Sequence, residues 1–260
     1  MIKGIEIFRK RFKDFPDSLV LIGGAACDEW FNRLGMTFRA TRDLDIVLIL
    51  EAVNEEFVST MRKFIDDGGY EIRERSEGGS PILYRFSKPT DEQFPAMLEI
   101  FSGLPEGISL ASDQAIVPIP AGKQTHSLSA ILVDVDYHRL ITEQHKTLDG
   151  IAYANVAALI PLKAKAWLDL TERKLAGEAI DAKDISKHRA DVFRLAATLP
   201  GDSQLKLPDV IHSDMAAFLA SFPEDSPEWP AILSAIKNTV GGNLRPTMLC
   251  TAIKTFFQIS

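Results

Sequence analysis

Residues 43–50 read Asp-Leu-Asp-Ile-Val-Leu-Ile-Leu, and no other stretch limits the fold as much. The run is apolar and rich in β-branched residues, which marks a strand. Side chains alternate along a strand. Asp43 and Asp45 therefore share one face, with Cα atoms roughly 6.5–7 Å apart, and Leu44 and Ile46 share the other. The chain must contain a sheet with a core on one face and, on the other, room for two neighbouring carboxylates. Two such charges repel unless a cation sits between them. Mg²⁺ prefers hard oxygen ligands and often takes one or two carboxylates plus substrate phosphates. The plainer alternative is a polar strand cap.

Around this strand the chain alternates strands and helices. Ile5, Phe8 and Phe12 have helical spacing. "SLVLIGGAACDEWFNRLG" (18–35) reads as a short strand, a Gly-Gly turn and a helix ending near Gly35. "NEEFVSTMRKFIDDGG" (54–69) is a helix that starts on a capping Asn54 and stops at Gly68 and Gly69. "YEIRERS", "PILYRFSK" and "AMLEIFS" are strand candidates, the first two joined by the hairpin signal "EGGS". "AIVPIP" and "HSLSAIL" add edge strands, with prolines marking the edge. "VDVDYHRLITEQ" is helical and "TLDGIAYA" a further strand.

After about Asn155 the pattern is helical throughout. "VAALIPLKAKAWLDLTERKLAG" (156–177) is one long helix, with Pro161 tolerable only near its first turn. "KDISKHRADVFRLAATL" (183–199), "PDVIHSDMAAFLASF" (208–222) and "EWPAILSAIKNTV" (228–240) follow. The expected architecture is α/β (α+β): a mixed sheet flanked by helices over residues 1–150, then a helical domain over 151–260.

Bulk properties exclude some classes of function. The net charge of −7 argues against broad, non-specific nucleic-acid binding, although a local basic site remains open. Two cysteines, Cys27 and Cys250, have no metal-ligand spacing and suit a reduced, cytoplasmic protein. No apolar run approaches the ~20 residues that span a bilayer.

Three features join the aspartate pair. Gly23-Gly24, between a strand and a helix, lets the backbone approach a phosphate; a tight turn explains the same glycines. Glu99 places one acid inside the apolar strand "AMLEIF", where burial without a partner is costly. Two-metal sites hold ions about 3.5–4 Å apart that clamp attacking and leaving oxygens, and a third carboxylate on a neighbouring strand would complete one. Strand, Gly-Gly, helix, Asp-x-Asp strand and a later acidic strand together resemble the nucleotidyltransferase superfamily with the polymerase-beta-like fold.

That resemblance implies that Asp43, Asp45 and Glu99 hold two Mg²⁺ ions and an incoming nucleoside triphosphate (NTP). It implies as well that the turn at Gly23 and Gly24 cradles the triphosphate. The eighteen residues from 25 to 42 exceed the spacing usual in minimal members and point to a subgroup. "FRATRDLDI" (38–46) is similar to the Arg-x-Thr-x-Asp-Leu-Asp signature of the AbiEii-type abortive-infection nucleotidyltransferases. There Arg39 and Thr41 would sit beside the metal pair. Local roles stay open to them too: Thr41 as a hydrogen-bond partner of the turn, and Arg39 or Arg42 as a neutraliser of the acids.

The helical half extends the resemblance. The family carries a Lys-x-x-Ala helix and a later helix opening on Lys-Asp. Here the first is matched by Lys163 and Ala166, with Lys165 nearby, and the second by Lys183 and Asp184. Asp184, Lys187, His188 and Asp191 follow i, i+3, i+4, i+7 and share a helix face, which a solvated stripe of ion pairs explains equally well. Lys163 lies in an otherwise apolar turn and is the leading candidate to bind phosphate or stabilise charge. Lys187 is a second phosphate candidate. Asp184 would orient Lys163 or take a proton from the acceptor hydroxyl. Arg85 reads equally as a surface residue or as a base or phosphate contact, whereas the scattered His126, His138, His145 and His212 are read as structural and Trp30 and Trp167 as core residues.

These features point to an Mg²⁺-dependent nucleotidyltransferase moving a nucleoside monophosphate from an NTP to a hydroxyl. The AbiEii-like resemblance implies an RNA such as tRNA, or a protein, as acceptor, and a toxin role with a partner antitoxin. A small-molecule, aminoglycoside-like nucleotidyltransferase and a non-catalytic nucleotide-binding or interaction module on the same fold are the alternatives.

Overall fold

The computed structural model describes residues 2–72, 84–104, 116–118 and 129–260. The chain divides into two compact units. One comprises Met1–Glu29 with Ala40–Ala154, and the other Trp30–Arg39 with Asn155–Ser260. The helical unit thus begins at Asn155 rather than 151, and it also takes in ten residues from the segment expected to be purely α/β. The reason is Phe38, which stacks on Phe31 and lies under the guanidinium groups of Arg39 and Arg194, all members of the helical unit.

The first unit is a mixed α/β structure. Its strands are β1 (Leu19–Ile22), β2 (Asp43–Leu48), β3 (Glu71–Ile72), β4 (Arg85–Ser87), β5 (Met97–Ser102), β6 (Ile116–Pro118), β7 (Ser129–Leu132), β8 (His145–Leu148) and β9 (Ile151–Ala154). The main sheet runs β3-β4-β5-β2-β1-β9-β8, and β7 pairs with β5 and carries β6 at its edge. Pro118 lies in β6, whose one strand partner among the described residues is β7, so its missing N–H interrupts no central ladder. The strand expected over "TLDGIAYA" is instead a hairpin. Asp149 and Gly150 both have positive φ, 48° and 80°, the geometry of a two-residue Asp-Gly turn. The "EGGS" tip and His126 lie outside the described residues.

The helices α1 (Ile5–Phe12) and α3 (Glu55–Gly68) bury the faces that the sequence spacing indicated. Phe8 and Phe12 meet Phe64 at 5.5 Å each, and Phe12 meets Phe57 at 5.8 Å between ring centroids. Asn54 Oδ1 caps α3 by accepting from Phe57 N at 2.8 Å, and Gly69 ends it in the left-handed region. The helix α2 (Gly23–Arg33) follows β1 directly, and α4 (Val135–Glu143) is capped by Asp134.

The second unit consists of α5 (Val156–Leu175), α6 (Ala182–Ala196), α7 (Asp209–Ala220), α8 (Trp229–Val240) and α9 (Pro246–Phe257). Pro161 is the sixth residue of α5, a turn later than expected, and the helix continues through it. The helix α6 packs on α5, α8 and α9, and its last seven residues, 190–196, are all buried. Phe193 sits in an aromatic cluster with Phe218, Phe222 and Trp229. Cys27 and Cys250 are not joined in a disulfide. Among the described residues no helix is long and apolar enough to cross a membrane.

Candidate functional site

In the sheet unit, the acids come together through strand register. The strands β2 and β5 are parallel neighbours, with Asp45 opposite Glu99, Leu44 opposite Leu98 and Ile46 opposite Ile100. Apolar residues face apolar residues in the core, where all four are fully buried. Asp43, Asp45 and Glu99 are half-buried on the other face. Glu99 thus lies on the strand next to the aspartate pair, in register with Asp45.

The Gly-Gly turn reaches the same spot from the other side. The strand β1 runs antiparallel to β2 with Ile22 opposite Asp45, so the turn leaves β1 beside the acids. Gly23 has φ +62°, and a Cβ there would stand 1.8 Å from Asp45 Oδ2. A Cβ on Gly24 would stand 2.3 Å from Thr41 Oγ1. Each glycine is thus required by a side chain of the Arg-x-Thr-x-Asp-Leu-Asp segment. Thr41 belongs to this locus through its contact with Gly24.

Glu99 already has a cationic partner. Arg85 lies opposite it on the antiparallel strand β4 and donates from Nε to Glu99 Oε1 at 2.6 Å, with Nη2 also on that oxygen. Among the described residues no group of three His, Cys, Asp or Glu side chains converges as a metal site. Donor chemistry nevertheless suits a hard cation. Asp43 and Asp45 are carboxylates on one face of one strand, and Glu99, now paired with Arg85, would be a third oxygen donor.

In the helical unit, the expected polar stripe on α6 runs from solvent into the interior. Asp184 and Lys187 are exposed and pair with each other at 2.7 Å. Lys187 draws the Asp184 carboxyl below its usual range. Asp184 is therefore not the carboxylate beside Lys163. That group is Asp191, fully buried two turns further along, with its Oδ2 3.6 Å from Lys163 Nζ. Arg39 grips Asp191 with Nε at 3.1 and 3.2 Å and Nη2 at 2.7 Å, and Arg194 Nη1 donates to Oδ1. Burial pushes the Asp191 carboxyl up, but Lys163, Arg39 and Arg194 outweigh it and hold it below the ordinary carboxylate range. Arg39, expected beside the metal pair, is the bidentate partner of this carboxylate. Sequence reasoning placed Asp191 on the stripe without assigning it. The available signal was an acid inside the otherwise apolar run "ADVFRLAATL" with a basic residue three positions on.

Lys163 is only 5% exposed, and its ammonium is held in the ion pair with Asp191. His188 lies close by. Burial, with Lys163 and Lys187 acting in the same direction, holds its imidazole down to about 3 against the opposing pull of Asp191. The folded chain then refuses a proton that the unfolded chain takes below about pH 6.5, so stability falls as pH drops through that window. Replacing His188 by Gln should remove this sensitivity. Wild type is expected to lose about 1.5 kcal/mol more than His188→Gln between pH 6.5 and 5, as read by urea unfolding.

Comparisons with protein-family models, with curated proteins and with solved structures find no match to this chain.

Proposed function

We propose that this protein is an Mg²⁺-dependent nucleotidyltransferase of AbiEii-like character, transferring a nucleoside monophosphate from an NTP to a hydroxyl of an RNA or protein acceptor. The observation that carries the reading is the row Ile22, Asp45, Glu99 across β1, β2 and β5, with the Gly23 backbone pressed against the Asp45 carboxylate. A strand cap would require neither the third acid in register nor a glycine at that point.

In this reading Asp43 and Asp45 hold the divalent cation and Glu99 is a further ligand. Mg²⁺, when bound, neutralises triphosphate charge and lowers the pKa of the attacking hydroxyl. The chain's own contribution is positioning and electrostatics. The backbone at Gly23 and Gly24 offers a phosphate a close approach that side chains would block. Lys163 offers an anion a positive charge from a rigid helix, and Asp191 fixes where that ammonium stands. Asp184 and Lys187, exposed and paired to each other, are assigned no role in the transfer. A toxin role with a cognate antitoxin belongs to the same proposal and rests on the resemblance alone.

The Arg85–Glu99 pair favours one second reading, a nucleotide-binding module that has dispensed with the third metal ligand. Calorimetric titration with each of the four NTPs, with and without Mg²⁺, separates the two. The enzyme reading predicts binding that needs Mg²⁺. Equal binding in its absence would favour the module.

A further inference from the structure

Glu99 stands between two claimants. On one side, Asp45 lies next to it in register on β2, one strand spacing or roughly 4.8 Å away. On the other, Arg85 lies directly opposite on β4 and puts both Nε and Nη2 on Oε1. The row Asp45, Glu99, Arg85 crosses three strands on one face, so the carboxylate meant for a cation is flanked by a fixed cation of the chain. A single carboxylate charge cannot serve a guanidinium and a divalent ion at full strength, because the two positive groups then repel across one oxygen pair. The two partners also differ in freedom. The Glu99 side chain is 13% exposed in the middle of β5, whereas Arg85 is 37% exposed at the first residue of the short strand β4. Arg85 is the side that can leave.

We propose that Arg85 is an internal competitor for the divalent cation, holding Glu99 until metal displaces it and thereby setting the metal affinity of the site. The inference rests on the nucleotidyltransferase reading and deepens it. Arg85 is then a positioning residue: it acts through Glu99, and the nucleotide-free protein is kept in a state in which the third ligand is withheld. Metal binding at Asp43 and Asp45 supplies the repulsion that drives the guanidinium off, so the complete ligand set forms only at metal concentrations that outcompete the pair.

The test is Mn²⁺ titration of the full chain without nucleotide, following free Mn²⁺ by electron paramagnetic resonance. Wild type, Arg85→Gln, Glu99→Gln and the double variant are compared, with thermal melts confirming that each is folded. Arg85→Gln should bind Mn²⁺ about fivefold more tightly than wild type, in keeping with release of one partly exposed ion pair. In the Glu99→Gln background the same substitution should bring no gain, because there is no longer a carboxylate to compete for. Equal affinities of wild type and Arg85→Gln would overturn the competitor role while leaving the enzyme reading in place. So would an identical gain in both backgrounds, which would mark a general charge effect. Absence of Mn²⁺ binding in all four proteins would overturn the metal site itself, and the competitor with it.

Discussion

Asp191→Asn is expected to destabilise the helical unit by about 3–5 kcal/mol, the penalty for breaking a buried charge cluster by removing one member. The side chain is fully buried and accepts from Arg39 and Arg194 while standing 3.6 Å from Lys163. An asparagine of the same shape keeps the packing and removes the charge, leaving an ammonium and two guanidinium groups around a neutral amide. All three tryptophans, Trp30, Trp167 and Trp229, belong to the helical unit, so fluorescence-detected urea unfolding reports on it selectively. Lys163→Met is the informative partner variant. It removes one cation and leaves the carboxylate with both arginines, so its stability loss should be clearly smaller. Under the proposed function it should nevertheless lose transfer activity. An Asp191→Asn protein within about 1 kcal/mol of wild type would show that the carboxylate does not hold the cluster together.

The second large effect concerns chemistry rather than stability. Asp45→Asn, and likewise Asp43→Asn, should lower nucleotide transfer at least about a thousandfold while leaving the fold intact. The fold should stay intact for a local reason. The core face of β2 is made by Leu44 and Ile46, which the substitutions do not touch, and both acids are half-buried on the opposite face. Asparagine retains a carbonyl oxygen but carries no charge, so it neither competes for a divalent cation nor balances triphosphate charge in the same way. Asp45 is the more telling position, because it is centred between Ile22 and Glu99 and touches the Gly23 turn.

What the sequence made legible was set by short-range rules. Strand parity put Asp43 and Asp45 on one face, and Asn54 and Gly69 marked both ends of α3. The face of Glu99 followed from an apolar strand interrupted by a single acid, because a slip of one residue would have buried it, whereas its place opposite Asp45 came only with the pairing of β2 and β5. The hairpin at Asp149-Gly150 was legible too, since Asp-Gly is the strongest two-residue turn signal, but continuous apolar content on one side masked it. Asp191 was harder. Periodicity gives a helix face, whereas depth along that face depends on which other helices cover it, and here α5, α8 and α9 enclose the end of α6. The same limit explains why Asp184, which shares the face, was named in its place. Arg85 and Glu99 lie fourteen residues apart in sequence, and only strand pairing makes them partners.

The central claim is that the carboxylates beside the Gly-Gly turn support nucleotide transfer. Its most direct test is to incubate the purified protein with each of the four α-phosphate-labelled NTPs, Mg²⁺, and total cellular RNA or protein, alongside Asp45→Asn. The account predicts that wild type moves label onto an RNA or protein acceptor and that folded Asp45→Asn does not. Transfer by a well-folded Asp45→Asn at the wild-type rate would contradict it, as would wild type that binds NTP with Mg²⁺ yet labels neither class of acceptor.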